Sequence, residues 1–193
     1  MAREDQKMRS EQVRQAILDT AYEMGLREGF EAVTVRKIIH KMGYSTGVVY
    51  HHFQDKQEII DAIEQSETDR LRAAISEQLD DTKDIIHNME AALRRIMRLA
   101  YEEPEKYNLI VLHKYSRNKS ENSGWLTYLS ENLGAAMREG TIRAMDAGKA
   151  AFSIWSSFLG FHLMISRRND LTWEQAEELF KVQFDIILRG ILA

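Results

Sequence analysis

The 193-residue chain contains no cysteine and a single proline. Without thiols it has no disulfide framework and no thiolate metal or redox site, and the composition suits a reducing, cytoplasmic compartment. One proline, where a share of about 5% is usual, leaves helices uninterrupted and permits an all-helical chain. No apolar run approaches the roughly 18 residues of a membrane span, and the first residues lack the apolar core of a signal peptide. Also absent are a glycine-rich phosphate loop, a His-x-x-x-His pair and a nucleophile elbow. His87, His113 and His162 stand singly on expected helices, so no metal and no cofactor is expected. No convergent acid–base set marks an enzyme. What is present, 44% apolar and 29% charged residues, describes a globular protein.

The net charge of −4 is unevenly spread. Residues 1–56 hold nine Lys/Arg against eight Asp/Glu, net +1, and the remainder holds 17 against 22, net −5. Within 33–56 four basic residues face one acid, accompanied by His40, His51 and His52. A local basic patch on an acidic body suffices to position a protein on phosphates.

The patch coincides with the clearest pattern in the chain. Thr34 offers an N-cap to a helix whose apolar positions Val35, Ile38, Ile39 and Met42 recur at helical spacing. Gly43 supplies the positive φ that ends a helix and turns the chain. Ser45 caps a second short helix with Val49 and Phe53 on its inward face. Its other face, Thr46, Gly47, Val48, Tyr50, His51 and His52, carries no carboxylate. This is a helix-turn-helix whose second helix is dimensioned for a DNA major groove. Arg36, Lys37 and Lys56 fall in the first turns of expected helices. Cations there forgo about 0.3–1 kcal/mol each relative to acids, a conflict that a polyanion would resolve. Gly47 costs up to about 1 kcal/mol inside a helix but lets a partner approach the backbone closely. A helical scaffold whose basic hairpin binds an acidic protein is the alternative reading of the same residues.

The run Gly43-Tyr-Ser-Thr-Gly-Val-Val-Tyr-His-His-Phe-Gln-Asp-Lys-Gln-Glu-Ile resembles the N-terminal DNA-binding domain of TetR-like transcriptional regulators. The resemblance extends from about Glu11 to Ile63, departing at Ile39, where a small Ala is common, and at Tyr44, where Val or Ile is common. It implies a dimeric, sequence-specific DNA-binding regulator, a repressor released from its operator by a small ligand in a C-terminal helical domain. Ser45, Thr46, Gly47, Val48 and His51 are expected to face base edges, and Thr34, Arg36, Lys37, Tyr50, His52 and Lys56 to hold phosphates.

The expected fold is all-α, with about nine helices and no strand. A helix-turn-helix domain is expected over residues 1–63 and a helical ligand-binding and dimerisation domain over 64–193. Residues 1–10 read as a frayed polar terminus, and a helix over Glu11 to Glu28 as ended by Gly25 and Gly29, with Phe30 and Val33 packing beneath the reader. Asp55-x-x-Glu58 has the form of a capping box opening a long helix to about Leu79. Its polar stretch 64–70, free of Gly and Pro, reads as a stiff neck between domains. Further helices are expected over 83–102, 105–117, 125–140, 147–168 and 172–192.

The last two helices are apolar over much of their circumference. Phe152, Trp155, Phe158, Leu159, Phe180, Phe184 and Ile187 are the expected dimer seam, and the resemblance implies a four-helix bundle built by two subunits. Tyr107, Tyr115, Trp125, Tyr128, Trp155 and His162 put amphipathic side chains into the C-terminal bundle. They are candidates for lining a pocket for an apolar or aromatic effector, core packing being the competing reading.

Overall fold

The computed structural model describes residues 2–79, 84–113, 124–168 and 170–192. These residues form nine helices and no strand. Two compact units divide between Leu71 and Arg72.

In the first unit α1 (Ala2–Glu28) begins well before the expected Glu11. Residues 2–10 contain neither Gly nor Pro and are rich in good helix formers, with Glu4 and Asp5 complementing the helix dipole in the first turn. Ile17, Ala21 and Met24 are the buried face of α1. The helix runs through Gly25 and stops at Glu28; Gly29, at φ 83°, provides the left-handed exit. Gly25 serves packing instead of termination. A Cβ there would lie 2.3–2.7 Å from the Phe30 ring, so only hydrogen lets Phe30 close over α1. Phe30 opens a single 3₁₀ turn (Phe30–Ala32), and Phe30 and Val33 are both buried.

Helices α2 (Val35–Met42) and α3 (Thr46–His52) follow, joined at Gly43 with φ 68°. The Thr34 hydroxyl accepts from the Lys37 backbone N–H at 3.2 Å, as its capping position requires. Ile38, Val49 and Phe53 are buried where α1, α2 and α3 pack together, and the Arg14 guanidinium lies 5.1 Å over the Phe53 ring. Helix α4 (Lys56–Ser76) is opened by Asp55, whose carboxylate accepts from the Glu58 N–H at 2.9 Å. Glu58 reaches back one residue further than a capping box requires, accepting from the Gln54 N–H at 2.6 Å. The polar stretch of α4 is not a uniformly solvated neck. Glu64, Glu67 and Thr68 are buried, and Glu67 accepts from the Tyr22 hydroxyl of α1 at 3.2 Å.

The second unit holds α5 (Ile85–Glu102), α6 (Pro104–Tyr107), α7 (Gly124–Arg138), α8 (Ala147–Ser166) and α9 (Trp173–Ile191). Asp84 and Asp146 cap α5 and α8, accepting from His87 N–H and Lys149 N–H. Thr172 and Gln175 form a complete reciprocal capping box at the start of α9. Pro104 occupies the first turn of α6, which widens into a π-helical segment over Asn108–Leu112. Helices α5, α7 and α8 pack together around Leu93, Ile96, Leu129, Leu133 and Trp155. Gly140 at φ 75° ends the α7 turn, and the Arg143 N–H donates to the Ile191 carbonyl at 3.0 Å, tying the α7–α8 connection to the end of α9.

Candidate functional site

The helix-turn-helix presents its second helix outward. Ser45, Thr46, Gly47, Tyr50 and His51 are exposed, and Val48 and His52 are half-buried. Ser45 holds the N-cap position in an extended conformation, but its hydroxyl makes no cap hydrogen bond. Nothing lies within 4 Å of a Cβ built on Gly47, so the backbone there is open to close approach. The His51 and His52 rings meet edge to face, 5.1 Å apart. Burial, with His51 and Arg14 nearby, holds the His52 imidazole below its ordinary pKa, which disfavours its charged form. Tyr44, absent from the expected contact set, stands 36% exposed in the turn beside Ser45. Its signal was its place inside the turn, where a large apolar ring has no core to enter.

The three first-turn cations have different surroundings. Arg36 is exposed. Lys37 donates to the Ala32 carbonyl at 2.9 Å and pairs with Glu28 at 3.0 Å, and Arg27 and Lys37 together hold the Glu28 carboxyl below the usual range. Lys56 donates to the Glu31 carbonyl at 2.7 Å. Lys37 and Lys56 therefore also close the 3₁₀ turn, meeting carbonyls that follow α1. Thr34 is exposed and at the N-terminus of α2.

The second unit encloses a cavity of about 310 Å³ between α5, α7, α8 and the last turns of α4. Trp125, Tyr128 and Trp155 line it, the two indoles stacked at 6.2 Å. Tyr107 and His162 do not belong to that wall. Both are fully buried in an aromatic cluster with Phe158 and Phe161, where His162 of α8 meets Tyr107 of α6 edge to face. Tyr115 lies outside the described residues. Arg72, Met89, Leu93 and Ile96 complete much of the cavity wall. Helical periodicity marked the last three as core positions, and nothing in the sequence distinguishes a core lined by a void from a filled one.

The expected dimer seam divides in two. Phe158 and Phe180 are fully buried within the single chain and Trp155 and Phe184 nearly so; their rings fill the subunit's own core, which corrects their assignment to an interface. Phe158, Phe180 and Phe184 contact one another at centroid separations of 5.7–6.4 Å. Phe152 is 63% exposed, and Leu159 and Ile187 are half-buried. With Leu163, Val182 and Ile186, also exposed, they leave an apolar face on α8 and α9.

The sequence signature of bacterial regulatory proteins of the tetR family matches residues 17–63, the segment that builds the helix-turn-helix. Over 141 residues the chain is 30% identical to the HTH-type transcriptional repressor AcnR of Corynebacterium glutamicum, a match covering 70% of this chain and 68% of that protein. The chain belongs to the tetR family. It is a DNA-binding transcription regulator and not an enzyme. The fold extends the likeness across both units of this tetR-family protein. SmeT, the repressor of the Stenotrophomonas maltophilia multidrug efflux pump SmeDEF, superposes with a TM-score of 0.72 at 21% identity, covering 93% of this chain and 90% of that one. AibR, solved in complex with isovaleryl coenzyme A and operator DNA, gives 0.68 at 23% identity over 90% and 97% of the two chains. Among the described residues no helix is long and apolar enough to cross a membrane, and no group of His, Asp and Glu is arranged for a metal ion.

Proposed function

We propose that this tetR-family protein is a homodimeric repressor that reads an operator through α3 and leaves it when a small apolar or aromatic ligand enters the cavity of the second unit. The observation that carries the reading is the outward face of α3: six non-acidic positions, Thr46 to Val48 and Tyr50 to His52, presented after the left-handed turn at Gly43. Ser45, Thr46, Gly47, Val48 and His51 meet base edges, and Val48 suits a thymine methyl. Thr34, Arg36, Tyr50, His52 and Lys56 position the domain on phosphates, with Lys37 contributing charge from its pair with Glu28. Two-fold symmetry places two such helices on successive turns of the duplex. The apolar strip of Phe152, Leu159, Leu163, Val182, Ile186 and Ile187 supports a four-helix interface between copies, since an exposed face of this kind is costly in a lone soluble chain.

A ligand switches operator binding only through unequal affinity for the competent and incompetent states. Helix α4 carries Lys56 at its first turn and Arg72, Ile75 and Ser76 of the cavity wall at its last, with no Gly or Pro between. Ligand-dependent repositioning of α4 is thus the route from cavity to reader. Coupling of about 1–3 kcal/mol would lower operator affinity roughly 5–150-fold. Gel shifts against fragments of the protein's own upstream region, with and without cavity ligands, test the whole reading. Operator DNA must weaken the ligand by the same factor as the ligand weakens DNA. Specific binding to no DNA fragment would overturn the operator assignment, and ligands indifferent to saturating operator would overturn the switch.

A further inference from the structure

Tyr44 is the one residue of the helix-turn-helix that neither the core nor the expected DNA contacts account for. Gly43, at φ 68°, turns the chain out of α2, and residues 43–47 are exposed without interruption. Tyr44 is the large side chain of that run and stands 36% exposed. Its phenol makes no hydrogen bond and its ring no ring contact among the described residues. Single exposed rings are ordinary on protein surfaces, so the surroundings decide.

Those surroundings are open and rich in donors. Nothing lies within 4 Å of a Cβ built on Gly43 or on Gly47, so the backbone is bare on both sides of Tyr44. The Ser45 hydroxyl, next in the chain, makes no cap hydrogen bond. Along α2, Arg36 and His40 stand four residues apart on one face. Both are exposed, and neither has an ion pair or hydrogen bond among the described residues. Lys41 beside them is answered by Glu23 at 2.8 Å. Arg36, His40 and Tyr44 thus offer a guanidinium, a ring N–H and a phenol O–H in order along α2 and the turn after it.

The order of elements says what such donors meet. In a helix-turn-helix on DNA the first helix crosses the sugar–phosphate backbone, and the first residues of the second reach base edges. Only Gly43, Tyr44 and Ser45 separate Met42, the end of α2, from Thr46, the start of α3. Tyr44 therefore stands where the backbone gives way to the groove. A tyrosine suits that border, with an apolar ring to cover deoxyribose and a hydroxyl to donate to a phosphate oxygen.

We propose that Tyr44 is an uncharged clamp on the operator backbone, its phenol O–H donating to a phosphate at the edge of the groove that α3 enters. This rests on the reading of α3 as the operator reader. The clamp differs from Arg36 and Lys56 in carrying no charge, so it adds affinity without displacing a counterion. It also carries no sequence information, because phosphates are the same at every step.

Fluorescence anisotropy of the full-length protein tests the clamp on two labelled duplexes of equal length. One is cut from the protein's own upstream region, the other has the same bases shuffled, and each is titrated across a salt series. Tyr44→Phe keeps the ring and removes the donor. It should weaken both duplexes by roughly tenfold, the loss of a hydrogen bond to a charged acceptor. Tyr44→Val should weaken both at least as much, since the ring is lost as well. The slope of log affinity against log salt should stay at the wild-type value in both variants, whereas loss of a charged contact lowers it by about 0.9. Both variants should melt as the wild type does, an exposed ring without partners contributing little to stability. Unchanged affinity in Tyr44→Phe would overturn the clamp, while a wild-type preference for the upstream duplex would keep the operator reading. A loss confined to the upstream duplex would make Tyr44 a reader of bases, and a lowered slope would assign the loss to displaced cations; either result overturns the proposal. A wild-type protein that prefers neither duplex would remove the operator reading, and the clamp with it.

Discussion

Lys56 Nζ donates a 2.7 Å hydrogen bond to the backbone carbonyl of Glu31. The cation that looks misplaced at the start of α4 thus braces the 3₁₀ turn against the helix, and it has two roles to lose. Lys56→Ala should weaken binding to every DNA sequence and reduce the slope of log affinity against log salt by about 0.9, the contribution of one phosphate contact. It should also lower stability by about 1 kcal/mol, the usual net value of one such hydrogen bond. Fluorescence anisotropy across a salt series reads the first effect and thermal melting the second. A variant that melts lower but keeps its full salt slope would show that Lys56 serves only the turn.

Gly25→Ala isolates the contact between α1 and Phe30. Alanine is the better helix former by up to about 1 kcal/mol, so propensity alone predicts stabilisation. The methyl would stand 2.3–2.7 Å from the Phe30 ring, a distance that forces the ring or helix to move. Overpacking of this kind costs about 1–3 kcal/mol, so the net effect should be destabilising. Combining it with Phe30→Leu should cost less than the sum of the two single changes, since they share one space. A stabilised Gly25→Ala protein in a chemical melt would contradict the packing.

Assembly can be separated from folding because the apolar residues of α8 and α9 fall into two classes. Phe158 has no exposure in the single chain, whereas Ile186 is 62% exposed. Ile186→Glu should give a monomer in sedimentation at micromolar concentration with its helical content retained, and operator affinity should fall because each half-site is then bound alone. Phe158→Glu buries a carboxylate among aromatic rings and should unfold the domain. Sedimentation of Ile186→Glu as an unchanged dimer would move the interface elsewhere.

The contrast between those two residues marks how far the sequence could be read. The helix-turn-helix was legible because each local signal agrees with the next: Thr34 caps, Gly43 turns, and Ile38, Val49 and Phe53 point inward. Capping chemistry also located the starts of α4, α8 and α9, which is local and written in adjacent residues. Periodicity says that Phe158 and Ile186 are apolar, but only the tertiary packing that brings Phe180 and Phe184 onto Phe158 decides which of them is already covered. The same holds for Gly25, read as a terminator because glycine ends helices more often than it receives a ring from five residues further along the chain. The cavity was least visible, since Met89, Leu93 and Ile96 follow the pattern of a filled core.

His162 gives the last prediction. Its ring is fully buried, stands edge to face with Tyr107 at 5.8 Å, and packs on Phe158 and Phe161. Neither ring nitrogen has a hydrogen-bond partner among the described residues. Burial pushes the imidazole down to about 3, so the native protein holds it neutral. In the unfolded chain the same group titrates near about 6.5. Between those values the unfolded state binds a proton that the folded state refuses, so stability rises with pH across the window and is lost as pH falls from about 6.5 toward 3. The slope from this one group is at most about 1.4 kcal/mol per pH unit. His162→Leu removes the titration and the unmet polar atoms while keeping an apolar side chain in the core. Its stability should be equal to or above wild type at pH 7, because a buried polar group without a partner costs about 1–3 kcal/mol. Its stability should also fall less steeply than wild type between pH 6.5 and 4, by up to one proton's worth. Urea denaturation of both proteins at several pH values gives the difference directly, free of the carboxylates they share. Parallel curves over that range would mean that His162 finds a partner when charged, and that the aromatic cluster opens to water before the domain unfolds.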